Sequence, residues 1–594
     1  TLASPTASAS SQNEGLVYIS LQWLGVLYYG ISAWVLRKHE IYYIFSYIAA
    51  ALAFFPYTMG WMFYGNQILG KPLTQSQFGV TWSFLALALI AFAADRDQPA
   101  RRRGVVIEVA ERKRYAHGLY LVGYLIAFFA MFWTYSFLNT GAETPHLWTL
   151  GVGILIMAGS AILVYHNHHH TWDELIKAIF GEKESNFHSS VRMAFLWFIA
   201  WTFPYWTFLL SRQFAINNAY SWIGYVVGGL ISLSVAVWLR KIERTYAWSF
   251  YFSSQVYVAW ALYLTSGLTL KYMRGTLPPV EQFTSPARAF VILQALAVFF
   301  YAFSAWVFQK RKVYYPFSYI AAMLSIFPAT LGWTLYSPMS KMVLERYSWV
   351  WMGWAAILLL IGYLLDKGKQ AEGQGRFAHG PYFVGYLLIV RAIALSTSDL
   401  LVHLYTLAVA VILALISQLL VHRQQHHALD DFIRFFWRKP ESVARRVAQN
   451  FFLFFASYAV PVWVAQLLTY HEVELAWRGF VLTLFAPVYI VLGMVVRRIK
   501  KDYYTWAIYS AGYALTAIGA MVAFDDLQVT IAVLSINAAI YAISAYLFKQ
   551  PAWLYLSTTL VPVITLLSLH HAGNLNDPWV SKIFMGLAFL YFVA

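Results

Sequence analysis

Residues Tyr29–Ala50 read YGISAWVLRKHEIYYIFSYIAA, and residues Tyr301–Ala322 read YAFSAWVFQKRKVYYPFSYIAA. Each stretch joins the end of one apolar run to the start of the next through a short polar break that carries basic residues. Followed outward, the runs on both sides continue without charge for about 20 residues, the length a helix needs to cross roughly 30 Å of hydrocarbon. The stretch therefore gives two readings together: the solvent is lipid, and the unit is used twice.

Composition supports the first reading. Apolar residues make up 60% of the 594 positions and charged residues 11%, against roughly 45–50% and about 25% in an average soluble domain. Aromatic residues reach 19%, and their amphipathic rings favour the zone where acyl chains meet headgroups. Backbone groups in lipid must be satisfied within their own segment, and runs of this length without alternation imply helices rather than barrel strands. The expectation is an all-α, polytopic membrane bundle of about nineteen transmembrane helices.

The second reading rests on order and spacing. Ser32 returns as Ser304, 272 residues later, and Pro56, Gly60, Trp61 and Tyr64 return as Pro328, Gly332, Trp333 and Tyr336. Farther on, His117-Gly118 pairs with His379-Gly380, His146 with His403, Pro204 and Trp206 with Pro461 and Trp463, and Trp248 with Trp506. The offset there is about 257 to 262 residues, as loop deletions produce. A third copy opens at Tyr541 with YAISAYLFKQPAWLYL and stops in its third helix. The layout expected is a flexible Ser/Ala/Thr/Pro-rich segment (1–15), an eight-helix repeat (16–287), a second one (288–527) and a partial third (528–594). An even helix number keeps the repeats parallel. The opening TLASPTASASSQNEG, without an initiator Met, and the truncated third copy suggest that the native chain extends past both ends.

The formal net charge is +16, but the cations sit in short clusters between apolar runs, so the expected partner is the lipid bilayer and not nucleic acid. Of the 42 basic residues, 32 fall in breaks after odd-numbered helices, among them Arg101-Arg102-Arg103, Arg445-Arg446 and Arg497-Arg498. The positive-inside rule then puts these breaks in the cytoplasm and the first residues outside, in the plasma (cytoplasmic) membrane. The absence of cysteine removes disulfides, thiolate metal sites and a Cys nucleophile from consideration.

Histidines form the most specific chemical pattern. Tyr165-His166-Asn167-His168-His169-His170-Thr171-Trp172-Asp173-Glu174 is matched by His422-Arg423-Gln424-Gln425-His426-His427-Ala428-Leu429-Asp430-Asp431. On a helix that continued out of the membrane, His166 would share a face with His169 or His170, and His422 with His426, and His427 would adjoin them. Such spacing can present imidazoles to one metal. It resembles one histidine box of the membrane fatty-acid desaturases and hydroxylases, a resemblance that implies a di-iron centre at the cytoplasmic helix ends but covers only these residues. Set against it is the plainer reading of imidazoles in the headgroup layer. His426 with Asp431 also has an acyltransferase-like spacing. His117, His379, His146 and His403, all at span ends, are the candidates for haem ligation.

Arg391 is the one conspicuous ion within a span and a candidate for an anionic substrate or lipid, with pairing to Asp399 or snorkelling as the alternative. All 26 acidic residues lie in loops or near span ends, so ion-coupled transport lacks its usual buried carboxylate. The segments 172–190 and 429–446 read as amphipathic helices on the cytoplasmic surface. There is no phosphate-cradling loop, nucleophile elbow or protease zinc motif. The expected function is a structural or scaffold subunit of a larger membrane assembly, without cofactor and with protein partners. A transporter or lipid-handling protein is the first alternative, and a histidine-dependent iron or haem enzyme the second.

Overall fold

In the computed structural model, residues 9–36, 42–97, 101–102, 105–106, 114–141, 143–166, 169, 193–214, 218–242, 244–266, 285–308, 314–336, 347–367, 375–437, 443–498 and 502–593 are described. Nearly all of them are helical; the one pairing of extended backbone among them joins Arg101–Arg102 to Val105–Val106. Among the described residues, sixteen helices are long and apolar enough to cross a bilayer. The other three apolar runs are also helical: Ala247–Leu264, the broken pair Tyr314–Leu324 and Ile326–Tyr336, and Trp579–Val593. The first helix begins at Ala9, so the second half of the expected tether is helical.

The distribution of side-chain sizes is that of a protein solvated by lipid. Small residues fill the helix contacts: Ala86, Ala130 and Ala355 are each 0% exposed. Large apolar residues face outward, with Phe132 at 72%, Leu155 at 65% and Tyr546 at 84%. Water would penalise that arrangement at about 25 cal/mol per Å² of apolar surface, whereas acyl chains do not, and close approach of backbones supplies the packing energy.

The chain divides into two compact units, Thr1–Phe300 and Tyr301–Ala594. In the first, a core of Trp82, Ile90, Tyr120, Ala127, Ile156 and Phe195 joins the helices Gln75–Asp97, Arg114–Ser136, Glu143–Tyr165 and Ala194–Phe214. In the second, Met352, Leu358, Tyr382, Leu388 and Ala410 join Tyr347–Asp366, His379–Ser396 and Leu400–His422.

The residues quoted in duplicate at the outset explain one contact in each unit. Gly118 lies against Ser46 so closely that a Cβ would come within 2.7 Å of the Ser46 carbonyl carbon, and a Cβ on Gly380 would come within 2.6 Å of the carbonyl carbon of Ser318. Each serine belongs to an FSYIAA segment and each glycine to an Ala-His-Gly segment. The two motifs thus recur together because they pack on each other.

The prolines act as their chemistry requires. Pro56 cannot donate to the Leu52 carbonyl, and the helix Tyr42–Leu52 ends there before Phe54–Leu69 begins; Pro328 stands in the same relation to Leu324. Pro461 stays within its helix, Phe451–Tyr470, and leaves the Ser457 carbonyl without its usual donor. The Tyr489 hydroxyl takes that role at 2.9 Å, and in the first unit the Tyr257 hydroxyl donates to the Trp201 carbonyl beside Pro204 at 2.5 Å.

Candidate functional site

The histidine segment of the second unit does not continue as a helix. Leu400–His422 ends at His422, Gln424 takes a left-handed conformation (φ 56°), and a new helix, His427–Phe436, begins after His426. The shared face expected for His422 and His426 is therefore absent. In the first unit Glu143–Tyr165 ends one residue before His166, and residues 167 and 168, between His166 and His169, lie outside the described residues. His170, with the segment 172–190, lies outside the described residues.

His426 instead folds back into the bundle and is 1% exposed. Its ring stacks on Tyr382 with centroids 4.0 Å apart and an interplanar angle of 21°. Its Nδ1 accepts the Leu429 backbone N–H at 3.1 Å and so caps the helix that follows. A lone pair used at Nδ1 places the ring proton on Nε2, from which it is donated to the Tyr386 hydroxyl at 2.8 Å. Tyr386 donates in turn to Ser417 Oγ at 3.0 Å, and Ser417 to the Leu413 carbonyl at 2.8 Å. Every link of the chain is made by a protein donor and a protein acceptor. Burial drives the His426 imidazole down to about 3, because a charged ring here would exchange water for apolar neighbours.

The first unit contains the same arrangement. His169, 1% exposed, stacks on Tyr120 at 4.0 Å and 22° and is joined through Nε2 to the Tyr124 hydroxyl at 2.9 Å. Tyr124 donates to Ser160 at 2.7 Å, and Ser160 to the Ile156 carbonyl at 2.8 Å. Phe195 and Phe452 stand beside their histidines at 5.9 Å and 6.0 Å. At the opposite span ends His146 bonds Thr134 at 2.9 Å and His403 bonds Ser396 at 2.8 Å.

The remaining candidate residues have separate partners. His422 Nδ1 meets the Tyr504 hydroxyl at 3.0 Å. His427 gives its backbone N–H to buried Asp366 at 2.8 Å and places Nδ1 3.1 Å from the other carboxylate oxygen. Asp431 lies 3.3 Å from His379 and not on His426, which corrects the acyltransferase-like pairing read from spacing. Among the described residues no group of three or more His, Asp or Glu side chains converges as a metal site would require. His426 has neither nitrogen available to a metal without breaking the chain that holds it. His379 opens the 18-residue helix His379–Ser396, and His403, on the following helix, bonds Ser396 at its other end, which puts the two imidazoles roughly 26 Å apart at 1.5 Å per residue, too far to share one haem. Arg391 is exposed, 6.0 Å from the Trp351 ring, while Asp399 spends its carboxylate on Leu401 and Val402 N–H at the start of the next helix. A cation–π contact thus stands where pairing with Asp399 was one of the alternatives.

Two features escaped the sequence reading. One is the motif Tyr-x-x-Gly-Tyr, present at 120–124, 382–386 and 509–513, whose second tyrosine binds a serine each time; Tyr513 donates to Ser544 at 2.7 Å. The other is a partly enclosed polar cavity of about 920 Å³ in the second unit, beside His422 and His427. The amphipathic helix expected over 429–446 is present as His427–Phe436, followed by the short Val443–Gln449. It exposes Phe432, Phe435 and Phe436 on one side and keeps Ile433 buried. No protein-family model, no curated protein and no solved structure matches this chain.

Proposed function

We propose that this multi-pass membrane protein is a non-catalytic scaffold subunit, in which two parallel eight-helix repeats and part of a third present lipid- and protein-facing surfaces to a larger assembly. The observation that carries the reading is the closed chain from Leu429 through His426, Tyr386 and Ser417 to Leu413. The most reactive side chain of the segment spends both nitrogens on fastening a surface helix to a span, and a base or metal ligand needs a lone pair left over. The basic breaks are assigned to the cytoplasm of a plasma membrane on the 32-to-10 distribution of Lys and Arg.

The test is purification of the full chain from native membranes in mild detergent, beside a variant with Phe432, Phe435 and Phe436 replaced by Ser. A scaffold retains companion subunits at fixed stoichiometry and loses them in the variant. A monodisperse chain with no stoichiometric companion refutes the reading, and copurifying iron or a Soret band replaces it with the enzyme reading. A lipid-handling role is the second reading, and the polar cavity beside the interfacial helix favours it.

A further inference from the structure

The cavity in the second unit gathers four cations from separate helices. Lys367 follows the end of Tyr347–Asp366, Arg423 caps Leu400–His422, Arg434 lies on His427–Phe436 and Arg445 on Val443–Gln449. Two carboxylates face these four cations: Asp366 is engaged by His427, and Asp430 interacts with Arg434 and Arg445, so positive charge remains in excess. Cations at helix C-termini are ordinarily explained by the helix dipole. That explanation covers Lys367, Arg423 and Arg434 at their own helix ends, but not Arg445 in the first half of its helix, and it gives no reason for the four to border one cavity. Like charges gathered in a partly enclosed space repel, and an anion bound between them removes the repulsion. The volume, about 920 Å³, is at the upper end of the range for small-ligand sites.

Which anion is indicated by the helix that carries Arg434. Its other side exposes Phe432 at 52%, Phe435 at 76% and Phe436 at 58%, in a segment that begins five residues after a span ends and is fastened to the neighbouring span by His426. Rings on that side meet acyl chains at the same depth at which Arg434 meets headgroups. A ligand with a phosphate ester on one end and acyl chains on the other satisfies both sides of the helix at once.

We infer that this cavity binds the phosphate ester of an anionic glycerolipid headgroup, with Arg434 and Arg445 as its principal contacts and Lys367 and Arg423 at its border. The site is independent of the scaffold reading, since a bound lipid serves a scaffold or a lipid-handling protein equally.

The experiment uses the full chain, delipidated in detergent and titrated with mixed phosphatidylglycerol and phosphatidylcholine, with retained lipid counted by mass spectrometry of the intact protein. Wild type is expected to retain phosphatidylglycerol in preference. Each cation near a lipid surface is worth about fivefold, so R434Q/R445Q is expected to reduce the preference roughly 25-fold. D430N, which removes an opposing carboxylate without removing a cation, is expected to raise it; this variant keeps the test decisive if the double variant does not fold. R498Q, at a basic span end among residues that do not line the cavity, is expected to leave it unchanged. Equal retention of the two lipids by wild type overturns the inference. So does an equal loss in R498Q, which indicates general surface charge. Displacement of the lipid by millimolar glycerol 3-phosphate also overturns it, since the ligand is then a soluble phosphate.

Discussion

Acidification should loosen the segment around His426 by an amount fixed almost entirely by the unfolded chain. Buried His426 stays neutral down to about 3, whereas an exposed histidine titrates near 6.5. Its folded value is depressed, so the stability it contributes is complete above about 6.5 and is lost as the pH falls toward the folded value. Between pH 7 and pH 5.5 the opened state gains protons that the closed state does not. The ratio of the two binding factors, 11 to 1.3, favours opening about eightfold, or roughly 1.2 kcal/mol. The figure does not depend on the folded value so long as that value lies below about 5. The chain has no cysteine, so Ala428→Cys, buried next to His426, offers a unique thiol whose labelling reports opening. Exposed Asn574→Cys corrects for the pH dependence of the thiol itself. His379, His427, Asp366, Asp430 and Asp431 are charged or titratable neighbours. Burial raises Asp430, so its contribution runs oppositely and grows as the pH falls. The same labelling in His426→Gln contains all of those terms and lacks only the imidazole. The difference between the two proteins should be about eightfold; a His426→Gln protein with the same pH response as wild type refutes the buried, neutral assignment.

Two other outcomes follow from the packing. Gly380→Ala should cost roughly 1–3 kcal/mol, because the new methyl meets the Ser318 backbone and not a side chain that can turn away; Gly353→Ala, with nothing within 4 Å, should be neutral in the same thermal-denaturation assay. Tyr489→Phe should cost about 1 kcal/mol where Pro461 leaves the Ser457 carbonyl to the phenol, and much less in a Pro461→Ala background that restores the helical donor. Additive losses in that cycle would show that the phenol does not stand in for the missing amide.

The fold was legible because lipid imposes a length and a polarity that single residues display directly. Runs such as Leu147–Tyr165 contain no charge for the width of a bilayer, and Pro56 and Pro328 mark the breaks by a missing donor. The site was less legible because its geometry depends on where a helix stops. The i, i+4 spacing of His422 and His426 carries meaning only if the helix continues, and it stops through a left-handed glutamine at 424. Glutamine has no intrinsic preference for that conformation, unlike glycine or asparagine, so no local signal announces the turn. What holds the turn is remote in sequence: Asp366, 61 positions away, takes the His427 N–H, and Tyr386, 40 positions away, takes the His426 ring.

The Tyr-x-x-Gly-Tyr motif separates what the fold needs from what histidine adds. At 509–513 the second tyrosine keeps its serine, Ser544, but the stacked ring is Trp553, and it lies on that second tyrosine, Tyr513, at 4.1 Å, whereas His169 and His426 stack most closely on the first tyrosine of their motif. The tyrosine–serine bond and a flat partner are therefore common to all three places, and the imidazole is not. In the second unit the imidazole contributes a lone pair for the Leu429 N–H and a proton for Tyr386, two bonds that fix the start of the surface helix carrying Arg434. A tryptophan, with a donor and no acceptor, can stack but cannot cap. Histidine's advantage at 426 is thus its ability to accept and donate at once while uncharged, and this is lost on protonation. The same property that makes histidine look like a ligand in the sequence makes it a pH-dependent fastener in the fold.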